Sequence, residues 1–171
     1  MKTEPAPQES VELAALGKTM VGPVNQMPPV YRHGDFYFGL MICSELTDVK
    51  LHEHFRGNVD AFFCLEWNKD INTFSSIVES TAQTIHAFAI QVNNRQYGDS
   101  RIRGPYKLEY QRDVVRIRGG NHDYFAAGDI KVKDLRNFQK KSHADRGKND
   151  VFKPIPSGFQ ANRYIRLLLS K

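Results

Sequence analysis

Cys43 is the residue whose type and position most clearly suit it to chemistry. It closes the apolar run Phe36-Tyr37-Phe38-Gly39-Leu40-Met41-Ile42 and precedes a polar segment, Ser44-Glu45-Leu46-Thr47-Asp48. Alternating positions on both sides of the run are apolar, so it reads as a strand buried on both faces. The polar segment reads as the start of a helix. A thiol at such a junction meets backbone N–H groups without helical acceptors and the positive end of the helix dipole. Both favour a thiolate and stabilise an oxyanion, the needs of a nucleophile. The competing reading is a core cysteine, which on local features alone is the commoner outcome, because free cysteines pack as small hydrophobes.

Other polar groups fall at places where sites form. Glu66-Trp67-Asn68-Lys69-Asp70 begins at the carboxyl end of a second apolar run, residues 59–67. Ligands favour that end of the strands in α/β sheets, although a plain loop with a half-buried tryptophan fits as well. Residues 93–105 are rich in polar side chains and glycine, which predicts a long functional loop after a strand. His52 and His54 are two residues apart and do not share a helix face, which argues against a metal site. No cofactor is expected.

The elements that must position these groups follow from periodicity. The first 30 residues are broken by Pro5, Pro7, Pro23, Pro28 and Pro29, with room for a short helix capped by Ser10 and stopped at Gly17. Residues 45–56 predict a modest amphipathic helix. Residues 72–88 predict a longer one, with Phe74, Ile77, Val78, Thr81, Ile85 and Phe88 on one face. Ala87-Phe88-Ala89-Ile90-Gln91-Val92 predicts a third strand. Val114-Val115-Arg116-Ile117-Arg118 and Tyr124-Phe125-Ala126-Ala127-Gly128, flanking Gly119-Gly120, predict a hairpin. Residues 152–159 should be extended, and Leu167-Leu168-Leu169 fits a strand or a helix turn. Strands alternating with helices argue an α/β fold with a parallel or mixed sheet.

The chain has 171 residues, 40% hydrophobic and 25% charged, enough for one domain with its own core. No apolar run approaches the roughly 18 residues that span a membrane, and the N-terminus lacks the apolar core of a signal peptide. Two cysteines, Cys43 and Cys64, fit a reduced, cytoplasmic chain better than a disulfide framework. The net charge of +5 is uneven: residues 131–171 hold eleven Lys/Arg against three Asp/Glu, a local +8, leaving −3 on residues 1–130. That basic tail is a solvated arm, a docking surface or a nucleic-acid contact.

Three pieces in order resemble the carbon–nitrogen hydrolase (nitrilase) superfamily. Gly39-Leu40-Met41-Ile42-Cys43-Ser44-Glu45 resembles its strand ending in the cysteine nucleophile. Val92-Asn93-Asn94-Arg95 with Gly98-Asp99-Ser100-Arg101-Ile102-Arg103-Gly104-Pro105 resembles a later strand and loop, and the helix over 72–88 stands where the family has the helix before that strand. The wording of Phe62-Phe63-Cys64-Leu65-Glu66-Trp67-Asn68-Lys69-Asp70 is similar to nitrilase-like domains attached to bacterial defence-type reverse transcriptases.

The resemblance implies an α-β-β-α sandwich, partial here, with a poorly structured segment 1–30, the nitrilase-like part at 31–140 and the basic tail at 141–171. It implies Cys43 as nucleophile, Ser44 as an oxyanion donor through its N–H, Glu66, Trp67 and Asn68 lining the pocket, and Gly98, Ser100, Arg101 and Pro105 shaping the loop. The acidic position after the cysteine, Glu45, is expected to be structural. The family's base glutamate and its lysine lie well upstream. Here Lys2 and Lys18 sit on no apolar strand, and Glu4, Glu9 and Glu12 follow none. The expectation is a carboxyl-terminal part of a hydrolase domain, inactive by itself and completed by a missing half, a partner chain or a second copy. The alternative is a non-catalytic interaction module accessory to a reverse transcriptase in phage defence.

Overall fold

Alternation along Phe36–Ile42 organises the sheet. Tyr37 and Met41 are buried on one face, while Phe36, Phe38, Leu40 and Ile42 on the other are half-buried. In this computed structural model residues 2–22, 27–142, 146–147 and 150–161 are described. They form α1 (Pro7–Ala15), β1 (Tyr31–His33), β2 (Phe36–Ile42), a tight 3₁₀ turn at Cys43–Thr47, α2 (Val49–Phe55), β3 (Ala61–Glu66), α3 (Ile71–Ile85), β4 (Phe88–Asn93), β5 (Ser100–Arg103), a single turn α4 (Glu109–Arg112), β6 (Asp113–Ile117) and α5 (Val132–Lys140). Leu167-Leu168-Leu169 lies outside the described residues.

The fold is a mixed α/β one. Six strands run in the order β1-β2-β3-β4-β5-β6, with β2, β3 and β4 parallel and the remaining pairs antiparallel. One face packs on α2 and α3 through Met41, Phe55, Val59, Phe62, Cys64, Val78, Ala82, Ile85 and Ala89. Gly39 lets α2 approach: a Cβ there would stand 2.5 Å from the fully buried Phe55 ring.

Among the described residues the second face is covered at one end only. Leu135 and Phe138 of α5, with Phe152 and Ile155, pack on Ala61, Phe88, Phe36 and Ile90 at the amino ends of the parallel strands. Asp60, 1% exposed, clasps α5: its carboxylate accepts from Tyr37 N at 2.9 Å and from Arg136 Nε at 2.8 Å. Towards the carboxyl ends Leu65 and Val92 stay about half exposed, beside half-buried Leu40, Ile42 and Phe63. The sequence expectation that β2 is buried on both faces therefore holds on the α2–α3 side, while Phe36, Phe38, Leu40 and Ile42 on the other side are half-buried.

Several local expectations are corrected. The first helix starts at Pro7 rather than Ser10, because Pro7 suits the first helical position and Glu9 reaches back to Ala6 N at 2.7 Å. The helix expected over 45–56 is split by Asp48, whose carboxylate caps Lys50 N, and this leaves Val49 exposed. The long loop expected over 93–105 is a tight turn followed by strand β5. Arg101 and Arg103 look like solvent residues in sequence, but ion pairs with Asp99, Asp113 and Glu79 let them be buried. The expected hairpin is replaced by β5–β6 pairing. Residues 124–128 form no strand, since Gly119 and Gly120, both at positive φ, turn the chain away.

The Gly39 contact yields a test. Gly39→Ala forces the Phe55 ring to move and should lower stability by about 1–3 kcal/mol, read as the shift of the urea midpoint. An unchanged midpoint would show that the contact is not tight.

Candidate functional site

The site forms where β2 ends. Cys43 has φ 51°, a left-handed backbone that costs a non-glycine residue about 1–2 kcal/mol. Such strain persists where the surroundings over-determine it. Here the surroundings are Glu45, 6% exposed: its Oε2 accepts from Ile42 N at 2.8 Å, and its Oε1 accepts from Thr3 N and from Thr3 Oγ1 at 2.6 Å. One buried carboxylate thus holds the backbone before Cys43 and ties down the N-terminal segment. Ser44 is the second residue of the 3₁₀ turn, and its carbonyl accepts from Thr47 Oγ1. The thiol of Cys43 is half-buried.

A cleft of about 630 Å³ opens over Cys43. Its walls are Ile42 and Cys43 from β2, Leu65 and Glu66 from β3, Trp67, Lys69 and Tyr97 from the following turns, and Ala6, Gln8, Glu9 and Glu12 from α1. Trp67 is strongly exposed on the rim, and the Lys69 ammonium lies 5.7 Å over the Tyr97 ring. Lys2 pairs with Glu9 and, with Ala6 N, holds its carboxyl below the usual range. Asn68 is not among the lining residues. Its N–H donates to Asn93 Oδ1, its carbonyl accepts from Asn93 Nδ2, and its Oδ1 accepts from Asp70 N.

Glu66 and Cys43 both line the cleft just past the last β2–β3 pair. Ile42 pairs with Leu65 in the parallel register; β2 ends there and Cys43 turns out of the strand, while Glu66 continues β3. Glu66, 8% exposed, accepts from Cys64 Sγ at 3.1 Å and from Gln91 Nε2 at 2.9 Å. Arg101 Nε donates to Gln91 Oε1 at 2.9 Å, and Asp99 joins Arg101 and Arg116. Burial pushes the Glu66 carboxyl up, against the hydrogen bonds from Gln91 and Cys64 and the charge of Arg101. Burial and the neighbouring Glu66 push the Cys64 thiol far up, so Cys64 is a donor rather than a nucleophile.

The residues expected to shape the 93–105 loop lie away from Cys43. Gly98 at φ 78° packs on the Arg118 carbonyl, Ser100 Oγ accepts from Asn93 N at 3.0 Å, and the Pro105 carbonyl accepts from Lys153 N at 2.8 Å. Gly98, Ser100 and Arg101 line a second hollow of about 320 Å³ with Ile102, Val115 and Phe125. His52 and His54 each hydrogen-bond a carbonyl, of Leu46 and Pro28. Sequence reasoning missed Glu9, Glu12 and Tyr97 as wall residues, while Lys69 belongs to the polar cluster it had placed at the carboxyl end of the second strand. Pro7 with Glu9 signals a helix start, but nothing local says that this helix lies over the carboxyl ends of β2 and β3.

No protein-family model matches the chain, and no curated protein matches it in sequence. Among solved structures it is similar to a cysteine-to-alanine variant of the Nesterenkonia AN1 amidase from the nitrilase superfamily, with TM-score 0.53 and 13% identity over 70% of this chain and 45% of that one. It is similar to an amidase from Nesterenkonia sp. at TM-score 0.51 and 14% identity, covering 70% and 46%. A third match, at TM-score 0.50 and 14% identity over 70% and 46%, is a cysteine-to-alanine variant of the Nesterenkonia sp. AN1 amidase in complex with butyramide. The chain therefore has the mixed α/β fold of part of a nitrilase-like domain, and it spans less than half the length of the amidases it matches.

Two outcomes test this geometry. Glycine relieves a left-handed φ that alanine cannot, so Cys43→Gly should be about 1 kcal/mol more stable than Cys43→Ala, measured by urea unfolding; the reverse order would contradict the strain. The Glu66 carboxyl titrates higher folded than unfolded, so the native state holds the extra proton above the ordinary glutamate range. Stability from this group is present at low pH and lost as pH rises through the raised value. The Tm of Glu66→Gln relative to the parent should therefore rise between pH 5 and pH 8, and a constant difference would oppose the shift.

Proposed function

We propose that this chain is the carboxyl-terminal part of a cysteine-nucleophile carbon–nitrogen hydrolase domain, with Cys43 attacking the carbon of an amide or nitrile. The observation that carries the reading is Cys43 itself, held at φ 51° at the end of β2 and opening into a cleft with ionisable walls. The thiol forms a thioester, the Ser44 N–H faces the developing oxyanion, and Glu66 and Trp67 bound the acyl group.

The uncovered apolar surface supports the second half of the reading. Leu40, Ile42, Phe63, Leu65 and Val92 form a patch without a charged side chain at the carboxyl end of the sheet. Contiguous patches of this kind mark interaction sites. A complementary half of the sandwich, on another segment or a partner chain, covers it and adds the groups that turnover requires. The wording of residues 62–70, which resembles domains attached to reverse transcriptases, favours a nucleic-acid-handling chain as the partner carrying such a half.

An activated ester separates the nucleophile from the rest of the machinery, because p-nitrophenolate leaves without a proton. Incubation with p-nitrophenyl butyrate should place one butyryl group on Cys43, located by peptide mass, and Cys43→Ala should abolish it. Acylation at lysines alone, or at Cys43 only after unfolding in urea, would overturn the assignment.

A further inference from the structure

α1 stands over the cleft without packing into the fold. None of its nine residues is buried. Gln8, Glu9 and Glu12 line the cleft, while Val11 and the C-cap Leu16 are 69% and 68% exposed. A short helix is ordinarily held by burying its apolar side chains. Here polar side chains face the domain and apolar ones face water.

What holds the helix is a small set of polar contacts. Among the described residues, the hydrogen bonds that join segment 2–22 to the rest of the fold are the two that Thr3 gives Glu45 Oε1, from N and from Oγ1. Lys2 pairs with Glu9, and Glu9 accepts from Ala6 N at 2.7 Å, so the residues beside Thr3 are clipped to the first turn of α1. Past the other end, Gly17 sits at φ 62° with open space around it, a free pivot. The remaining walls, β2, β3 and the turns after them, belong to the sheet and its loops. α1 is the wall that can leave.

We propose that α1 is a lid on the Cys43 cleft, latched by Thr3 to Glu45, and that it swings away to admit an acyl donor or the complementary half to the thiol. As a gate for substrate it deepens the hydrolase reading and rests on it; the closure itself rests on the contacts alone. The latch is the same carboxylate that accepts from Ile42 N ahead of Cys43. Closed, the lid sets Glu9 and Glu12 in the cleft with the thiol, a wall that disfavours anions. Open, it leaves the cleft continuous with the uncovered apolar patch, since Ile42 and Leu65 belong to both. Opening breaks two hydrogen bonds and frees a helix too short to be stable by itself, which places it among the least costly local openings of such a fold.

The test is the rate of Cys43 alkylation by iodoacetamide and by iodoacetate, read by peptide mass, for the full chain and two variants. Val11→Pro breaks α1 from an exposed position and leaves Thr3 and Glu45 in place. Thr3→Pro removes both latch donors. Each should alkylate Cys43 at least about tenfold faster, since a proline inside a helix is strongly disruptive and a proline at position 3 has no N–H to give. The parent should prefer neutral iodoacetamide over the iodoacetate anion more strongly than either variant does. Cys64, with no exposed surface, should stay unmodified throughout, which shows that the sheet remains folded. Equal rates in the parent and Val11→Pro would overturn the lid, because faster alkylation in Thr3→Pro alone would come from the loosened Glu45. Equal rates in the parent and Thr3→Pro would overturn the latch. Faster alkylation in both variants, with no butyrylation of Cys43 by p-nitrophenyl butyrate in any of the three, would overturn the hydrolase reading and leave the lid standing.

Discussion

The parallel pairing of β2 with β3 is the constraint on which the rest depends. With Ile42 opposite Leu65, the cysteine just past one strand and the glutamate at the end of the next both come to the cleft. A slip of one residue would send every side chain of β2 to the other face. It would put Met41 against the uncovered side and Leu40 against α2 and α3. The register is held by packing, chiefly Phe62 and Met41 on the helical layer and the close approach of Phe55 to Gly39. Core packing and site geometry are therefore one requirement here.

The backbone at Cys43 departs from the strand because Glu45 holds it there. A buried carboxylate needs donors, and it finds them on both sides: Ile42 N just before the turn and Thr3 from the N-terminal segment. The same contact brings α1 over the carboxyl ends of the strands, so a helix without a single buried residue becomes a wall of the cleft. Its glutamates are present because the segment is tethered, not because the helix packs.

The two faces of the sheet have different fates. On one, the polar chain from Cys64 through Glu66, Gln91 and Arg101 to Asp99 satisfies charge beside the helical core. On the other, α5 and Phe152 cover the amino ends of the strands while Leu65 and Val92 stay open. The uncovered end lies next to the cleft, with Ile42 and Leu65 belonging to both. A partner seated there would reach the site without rearranging the sheet.

Composition and periodicity alone determined the α/β class, the strand ending at Cys43, the second apolar run and the α3 helix, since burial writes itself into spacing wherever a side chain's neighbours are its own helix or strand. They misread β5, because Arg101 and Arg103 are charged yet buried through partners distant in sequence, and they paired β6 with the wrong segment for the same reason. Of the three residues that the family resemblance offered for the pocket, Glu66 and Trp67 lie along the cleft, and Asn68 bonds Asn93 and Asp70 N within the turn. Tertiary structure decided which glutamates share the cleft with Cys43, because that depends on inter-strand register and on one buried carboxylate tethering a distant helix. Both bring together residues whose separation along the chain carries no periodic signal.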